Sequence, residues 1–153
     1  MPQFSTKRRV RHAAGDMFDL VADVERYPEF LPLCSALKVR GRDVAPSGAE
    51  IIVADMTVAY KLVRETFRSK VMIEKPKLQI LVEYLDGPFS QMENRWTFRA
   101  IDDGTCEVEF DITYEFKSRM LGFLMGAMFD AAFRRFAAAF EQRADEIYKR
   151  EIS

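Results

Sequence analysis

The chain has 153 residues and a mass of 17.7 kDa, the size of one ordinary domain. Hydrophobic residues make up 48% and charged residues 31%, with 13 phenylalanines, which excludes a disordered chain. A net charge of -1 argues against a protein that lives on nucleic acid, and the longest uncharged apolar run, residues 120–129, has about half of the ~20 residues that a bilayer crossing needs.

Residues 4–11 come first and suit an edge strand rich in Lys and Arg. Asp16 suits a helix N-cap, and Met17, Leu20, Val21 and Val24 follow at helical spacing, so 16–24 reads as a short amphipathic helix. Residues 25–30 add a further turn or two, and Pro32 ends it. Five segments of strand character follow. Residues 33–42 and 49–60 are two of them, separated by the turn-rich 43–48. Glu74–Lys77 is a turn; with Lys75 and Pro76 at its centre, Ile73 faces Leu78 and Val71 faces Ile80. Asp86-Gly87-Pro88-Phe89 is the next corner.

Residues 94–101 place Trp96, Phe98 and Ala100 on one face and Arg95, Thr97 and Arg99 on the other. Residues 105–116 alternate Cys106, Val108, Phe110, Ile112, Tyr114 and Phe116 with polar, mostly acidic residues. Asp102-Asp103-Gly104 suits the hairpin loop between them. That loop sets Arg99 opposite Glu107, Arg95 opposite Asp111, Trp96 opposite Phe110 and Phe98 opposite Val108, so charge and apolar pairing agree on one register. From 119 to 149 the period becomes helical. Leu121, Met125, Met128, Ala132, Phe136, Phe140, Ala144 and Ile147 form a stripe that Phe129 and Phe133 widen.

One-sided strands need a cover, and the long helix is the available one. This gives a single α+β domain over 1–153, a curved antiparallel sheet wrapped around a C-terminal helix, with two short helices after the first strand. Any hollow between sheet and helix is lined by Trp96, Phe98, Phe110, Ile112, Tyr114, Met125, Met128, Phe129 and Phe133. The same pattern also fits a filled core. Tyr27, Phe30 and Leu31 lie where they could flank a cavity mouth, Tyr27 and Phe30 as a gate. Tyr60, Tyr114 and Trp96 are candidate donors to a ligand oxygen.

No catalytic constellation is legible. His12, the only histidine, ends a basic strand and reads as solvated. The alternating acids Glu107, Glu109, Asp111 and Glu115 read as a wet sheet face, while Asp55 and Glu65 are the only acids considered for a pocket. Cys34 and Cys106 form neither a disulfide framework nor a metal motif, and Cys106 falls on the inward face of its strand. No metal, cofactor or DNA partner is expected. The first residues have no apolar run that would make a secretory signal, so a reducing, cytoplasmic setting is expected.

The string DMFDLVADVERYPEFLPLC over 16–34, with LDGPF at 85–89 and RWTFRAI at 95–101, resembles the coenzyme Q-binding protein family. That family sits in the START-like, helix-grip group with polyketide cyclases and bacterial ribosome-association toxins. The resemblance runs from about 10 to 148. It implies a helix-grip fold and a non-enzymatic hydrophobic tunnel for ubiquinone or a similar polyisoprenoid lipid, with a role in respiration or quinone delivery. With the start of the chain so near its first strand, it implies a bacterial relative; the apolar segments 27–32 and 120–129, flanking one cavity mouth, suit transient contact with an inner-membrane surface. The group's other members leave two alternatives open: binding to the large ribosomal subunit, for which Lys7, Arg8, Arg9 and Arg11 would supply phosphate contacts, and polyketide cyclase or aromatase activity.

Overall fold

The computed structural model describes residues 3–60 and 63–152. In chain order the elements are β1 (Gln3–Val10), α1 (Ala14–Ala22), a 3₁₀ helix (Val24–Glu29), β2 (Cys34–Val44), β3 (Glu50–Tyr60), β4 (Val63–Glu74), a 3₁₀ turn (Lys75–Lys77), β5 (Gln79–Asp86), β6 (Phe89–Asp102), β7 (Thr105–Phe116) and α2 (Arg119–Ile152). The strands form one antiparallel sheet in the order β1-β7-β6-β5-β4-β3-β2. Six strands follow the short helices, one more than the five segments expected.

The β6–β7 hairpin has the register that the sequence required: Arg99 pairs with Glu107, Arg95 with Asp111, Trp96 with Phe110 and Phe98 with Val108. The Lys75 hairpin differs. Ile73 pairs with Ile80 and Val71 with Val82, two residues beyond the expected partners. The reason is the turn. Lys75–Lys77 coils as a 3₁₀ turn, and Leu78 takes a left-handed conformation with φ 51°, so Leu78 leaves the ladder instead of facing Ile73. Asp16 is also displaced from its expected role. The helix starts at Ala14 with Ala13 as N-cap, and Asp16 sits in the first turn, where a carboxylate still suits the positive helix end.

The sheet bends through register shifts in β2–β3, β4–β5 and β6–β7. One falls between Arg68 and Ser69, where Leu85 is the extra residue on β5. Beside it Gly87 has φ 145°, and a Cβ there would lie 2.6 Å from the Phe67 Cβ and 2.9 Å from its Cα. Only glycine permits this crossing, which explains the Gly in the Asp86–Phe89 corner.

α2 spans 34 residues, about 51 Å at 1.5 Å per residue. It buries Met125, Phe129, Ala132, Phe133, Phe136, Phe140 and Ala144 against the concave face. Its other end is different: Met120, Phe123 and Leu124 are exposed, Phe123 at 88%. α1 closes the opposite part of the concave face, with Phe18 edge-on to Phe98 at 5.8 Å. Tyr148 of α2 donates to the Asp16 carbonyl at 3.1 Å, tying the two helices together.

Candidate functional site: a cavity, a neck and a groove

Three hollows run in series between α2 and the sheet. The innermost is an apolar cavity of about 80 Å³. It is lined by the inward positions of the strands, among them Ala54, Met56, Phe67, Ser69, Val71, Met92, Asn94, Trp96, Phe110 and Ile112. Tyr27 and Leu31 close it from the chain before β2, and Phe133, Phe136 and Phe140 close it from α2. At the surface, a groove of about 360 Å³ lies between Pro32, Leu33 and Tyr60 on one side and Leu124, Ala127, Met128, Ala131 and Arg135 of α2 on the other.

A narrow hollow of about 20 Å³ lies between them. It shares Leu33, Met128 and Ala132 with the groove, and Met56, Phe67, Phe133 and Phe136 with the cavity. Leu33 and Met128 therefore form the neck. Leu33 is held with φ 65°, a conformation that costs a non-glycine residue roughly 1–2 kcal/mol. Its carbonyl accepts the Ala59 N–H at 3.0 Å, which fixes that turn.

The hollow expected from sequence thus exists, but in a contracted form. Pockets for drug-sized ligands run to about 300–1,000 Å³, and a cavity of about 150 Å³ takes benzene. At about 80 Å³ the inner space must widen to accept even one ring. Met56 and Met92 in its wall and Met128 in the neck are unbranched, and their flexible side chains are suited to yield.

The sequence-derived site residues divide. Tyr27, Leu31, Trp96, Phe110, Ile112 and Phe133 line the inner cavity. Phe129 lines the neck, Met128 lines neck and groove, and Tyr60 lines the groove. Phe30, Phe98, Tyr114 and Met125 line none of the three. Phe98 lies beneath α1, and Tyr114 packs edge-on against Phe89 and Phe133 at 5.9 and 5.2 Å. Met125 is buried in the core beside these hollows.

Tyr27 and Phe30, expected as a gate, both make packing contacts. The Tyr27 hydroxyl donates to the Val21 carbonyl, and its ring packs edge-on to Phe140 at 5.3 Å. Burial raises the Tyr27 pKa far above its ordinary value. Phe30 is held between Phe140, 5.1 Å away, and the Arg143 guanidinium, 5.2 Å above its ring. Both rings are packed in place, away from the neck.

Sequence reading missed Met56, Phe67, Ser69, Met92 and Asn94. Strand alternation was the available signal, since each shares a face with a core residue two positions away. Three lining side chains carry a hydroxyl or an amide: Tyr27, Ser69 and Asn94. Asn94 donates one amide N–H to the Asp111 carbonyl at 2.9 Å.

The charged residues lie elsewhere. Asp55 alternates out of the cavity, to the opposite face from Ala54 and Met56. Arg68 and Arg40 bind it at 2.8 and 2.7 Å and hold its carboxyl down to about 2. Glu65 lines none of the three hollows. His12 is not solvated: it is 7% exposed, and its Nε2 lies 2.7 Å from Asp145 Oδ1 on α2. A polar side chain at the end of β1 is buried here because α2 supplies its partner. Cys34 and Cys106 are buried, and burial pushes both thiols up to about 11.

A curved seven-stranded sheet gripping a long C-terminal helix over an apolar hollow is the helix-grip, START-like class. The fold is shared with a START superfamily protein from Mycobacterium smegmatis, at 18% identity over 95% of this chain and 98% of that one, with a TM-score of 0.77. The family model for polyketide cyclase / dehydrase and lipid transport proteins matches residues 10–141, and the chain belongs to that family. Among relatives, the ribosome association toxin RatA of Vibrio cholerae serotype O1 is 34% identical over 97% of this chain and 99% of its own. The mitochondrial coenzyme Q-binding protein COQ10 homolog B of Xenopus laevis is 29% identical, over 97% of this chain and 60% of its own.

Proposed function

We propose that this protein binds, without chemical turnover, a ubiquinone-like lipid between α2 and the concave sheet, and serves respiratory electron transport or quinone delivery. The observation that carries this reading is the continuity of groove, neck and cavity through shared apolar residues. Binding by such a surface draws on apolar burial, worth roughly 25 cal/mol per Å² before ordering costs. A quinone-binding name among the relatives agrees with it. The exposed Met120, Phe123 and Leu124 adjoin the groove, where Leu124 is part of the wall, so an apolar tip beside the entrance can touch a bilayer while a lipid passes. Among the described residues no helix is long and apolar enough to cross a membrane.

The inner lining supports binding over catalysis. It holds no carboxylate, imidazole, amine or thiol, so a cyclase would lack a positioned acid or base there. The test is mass spectrometry of organic extracts from the purified native protein. A stoichiometric ring-bearing lipid is expected; an empty protein that also fails to take up added alkylquinone refutes the reading.

A second reading is favoured by the RatA relatives: association with the large ribosomal subunit. Its geometric support is thinner. Arg8 pairs with Glu141 at 2.6 Å, and Lys7 and Arg9 sit across the ladder from Glu109 and Glu107, so the basic strand is interleaved with carboxylates. Sedimentation with ribosomes over a salt series decides it. Salt-sensitive co-migration lost on replacing Lys7, Arg9 and Arg11 supports this reading, and no co-migration at low salt refutes it.

A further inference from the structure

The inner cavity has a polar seat. Ser69 on β4 and Asn94 on β6 lie two strands apart, on either side of β5, and both reach the same hollow. Ser69 is 5% and Asn94 8% exposed. Of the hydroxyl and amide side chains in the lining, Tyr27 is committed to the Val21 carbonyl. Asn94 spends one N–H on Asp111, which fixes the orientation of its amide and leaves its second N–H and its oxygen. The Ser69 hydroxyl faces this hollow and makes no hydrogen bond among the described residues.

We propose that Ser69 and Asn94 seat the oxygen-bearing ring of a tailed ligand, which enters ring first and leaves its chain in the Leu33–Met128 neck and the outer groove. This inference rests on the lipid-binding reading and adds an orientation to it. The sizes argue for that orientation. The inner space of about 80 Å³ can widen to one ring, whereas the groove of about 360 Å³ is open and mostly apolar along α2. The chemistry agrees. The Ser69 O–H and the free Asn94 N–H are donors for carbonyl or alkoxy oxygens on the ring. With no charged side chain in the lining, a neutral head is accepted and a phosphate or carboxylate head is excluded.

The experiment uses the full chain and two probes with the same ten-carbon chain, a dimethoxy-benzoquinone and plain benzene. Trp96 is the only tryptophan and lines the cavity, so a quinone ring seated there quenches its fluorescence. The expected result is quenching by the alkylquinone. Ser69→Ala then weakens the alkylquinone by about fivefold to tenfold and leaves alkylbenzene affinity, read by calorimetry, unchanged. Alkylquinone binding without Trp96 quenching, or an equal loss for both probes in Ser69→Ala, overturns the ring-first orientation while leaving the lipid-binding reading intact. Binding of neither probe overturns both.

Discussion

Ala54 is the place to test whether the inner cavity is a real void in the unliganded protein. It is 3% exposed, lines the hollow, and pairs across the ladder with Ser69, so a larger side chain there grows into the ring seat. Empty cavity volume costs about 24 cal/mol per Å³, which makes a hollow of about 80 Å³ worth about 2 kcal/mol. Ala54→Leu recovers at most that amount, because any overpacking subtracts from it. At this chain length about 2 kcal/mol raises the Tm by about 4–8 °C. The assay is thermal unfolding by circular dichroism, run beside alkylquinone binding to the same sample. The variant should be more heat-stable and should have lost ligand. A variant that is destabilised and still binds alkylquinone as the parent does would refute both the void and its role.

Three further outcomes follow from the same geometry. Asp55 is held down to about 2 by Arg68 and Arg40, so its stabilisation is full above the unfolded value of about 3.9 and is lost as pH falls toward 2. Replacing it by Asn should remove that acid limb, on the order of 2 kcal/mol before screening at the half-exposed arginines, in urea titrations from pH 5 to 2. Gly87→Ala puts a Cβ onto the Phe67 backbone and should cost about 3 kcal/mol, seen as a lowered denaturant midpoint. Phe123→Asp changes a side chain that is 88% exposed, so it should leave the Tm within about 1 °C and reduce co-sedimentation with phospholipid vesicles severalfold. Unchanged vesicle binding would remove the α2 tip from the docking surface.

The fold was legible where two independent patterns agreed. In β6–β7 the acidic and basic residues and the apolar residues demand the same register, and a one-residue slip would spoil both. The α2 stripe was legible because ten apolar residues keep helical spacing. The Lys75 hairpin was not, since a left-handed Leu78 has no sequence signature of the kind glycine gives. His12 looked solvated because its partner, Asp145, lies 133 residues away and only the fold brings them together. The cavity wall was half legible. Trp96 and Phe110 announced themselves as large aromatics, while Ser69 and Asn94 look like ordinary polar strand residues until the sheet curls around them. The neck had no local signal, because it is made by the meeting of the Leu33 turn with the middle of α2.

The central claim is that a chain-bearing apolar molecule passes from groove through neck to cavity. Methionine methyl resonances report on that path directly. Met128 lies in the neck and Met56 and Met92 in the cavity wall, whereas Met17 is a buried residue of α1 and Met72 lies on β4, both outside all three hollows. Titration with the ten-carbon alkylquinone should shift the methyls of Met128, Met56 and Met92 together and leave those of Met17 and Met72 in place. Shifts confined to the exposed Met120, with Met56 and Met92 unmoved at saturation, would contradict the account.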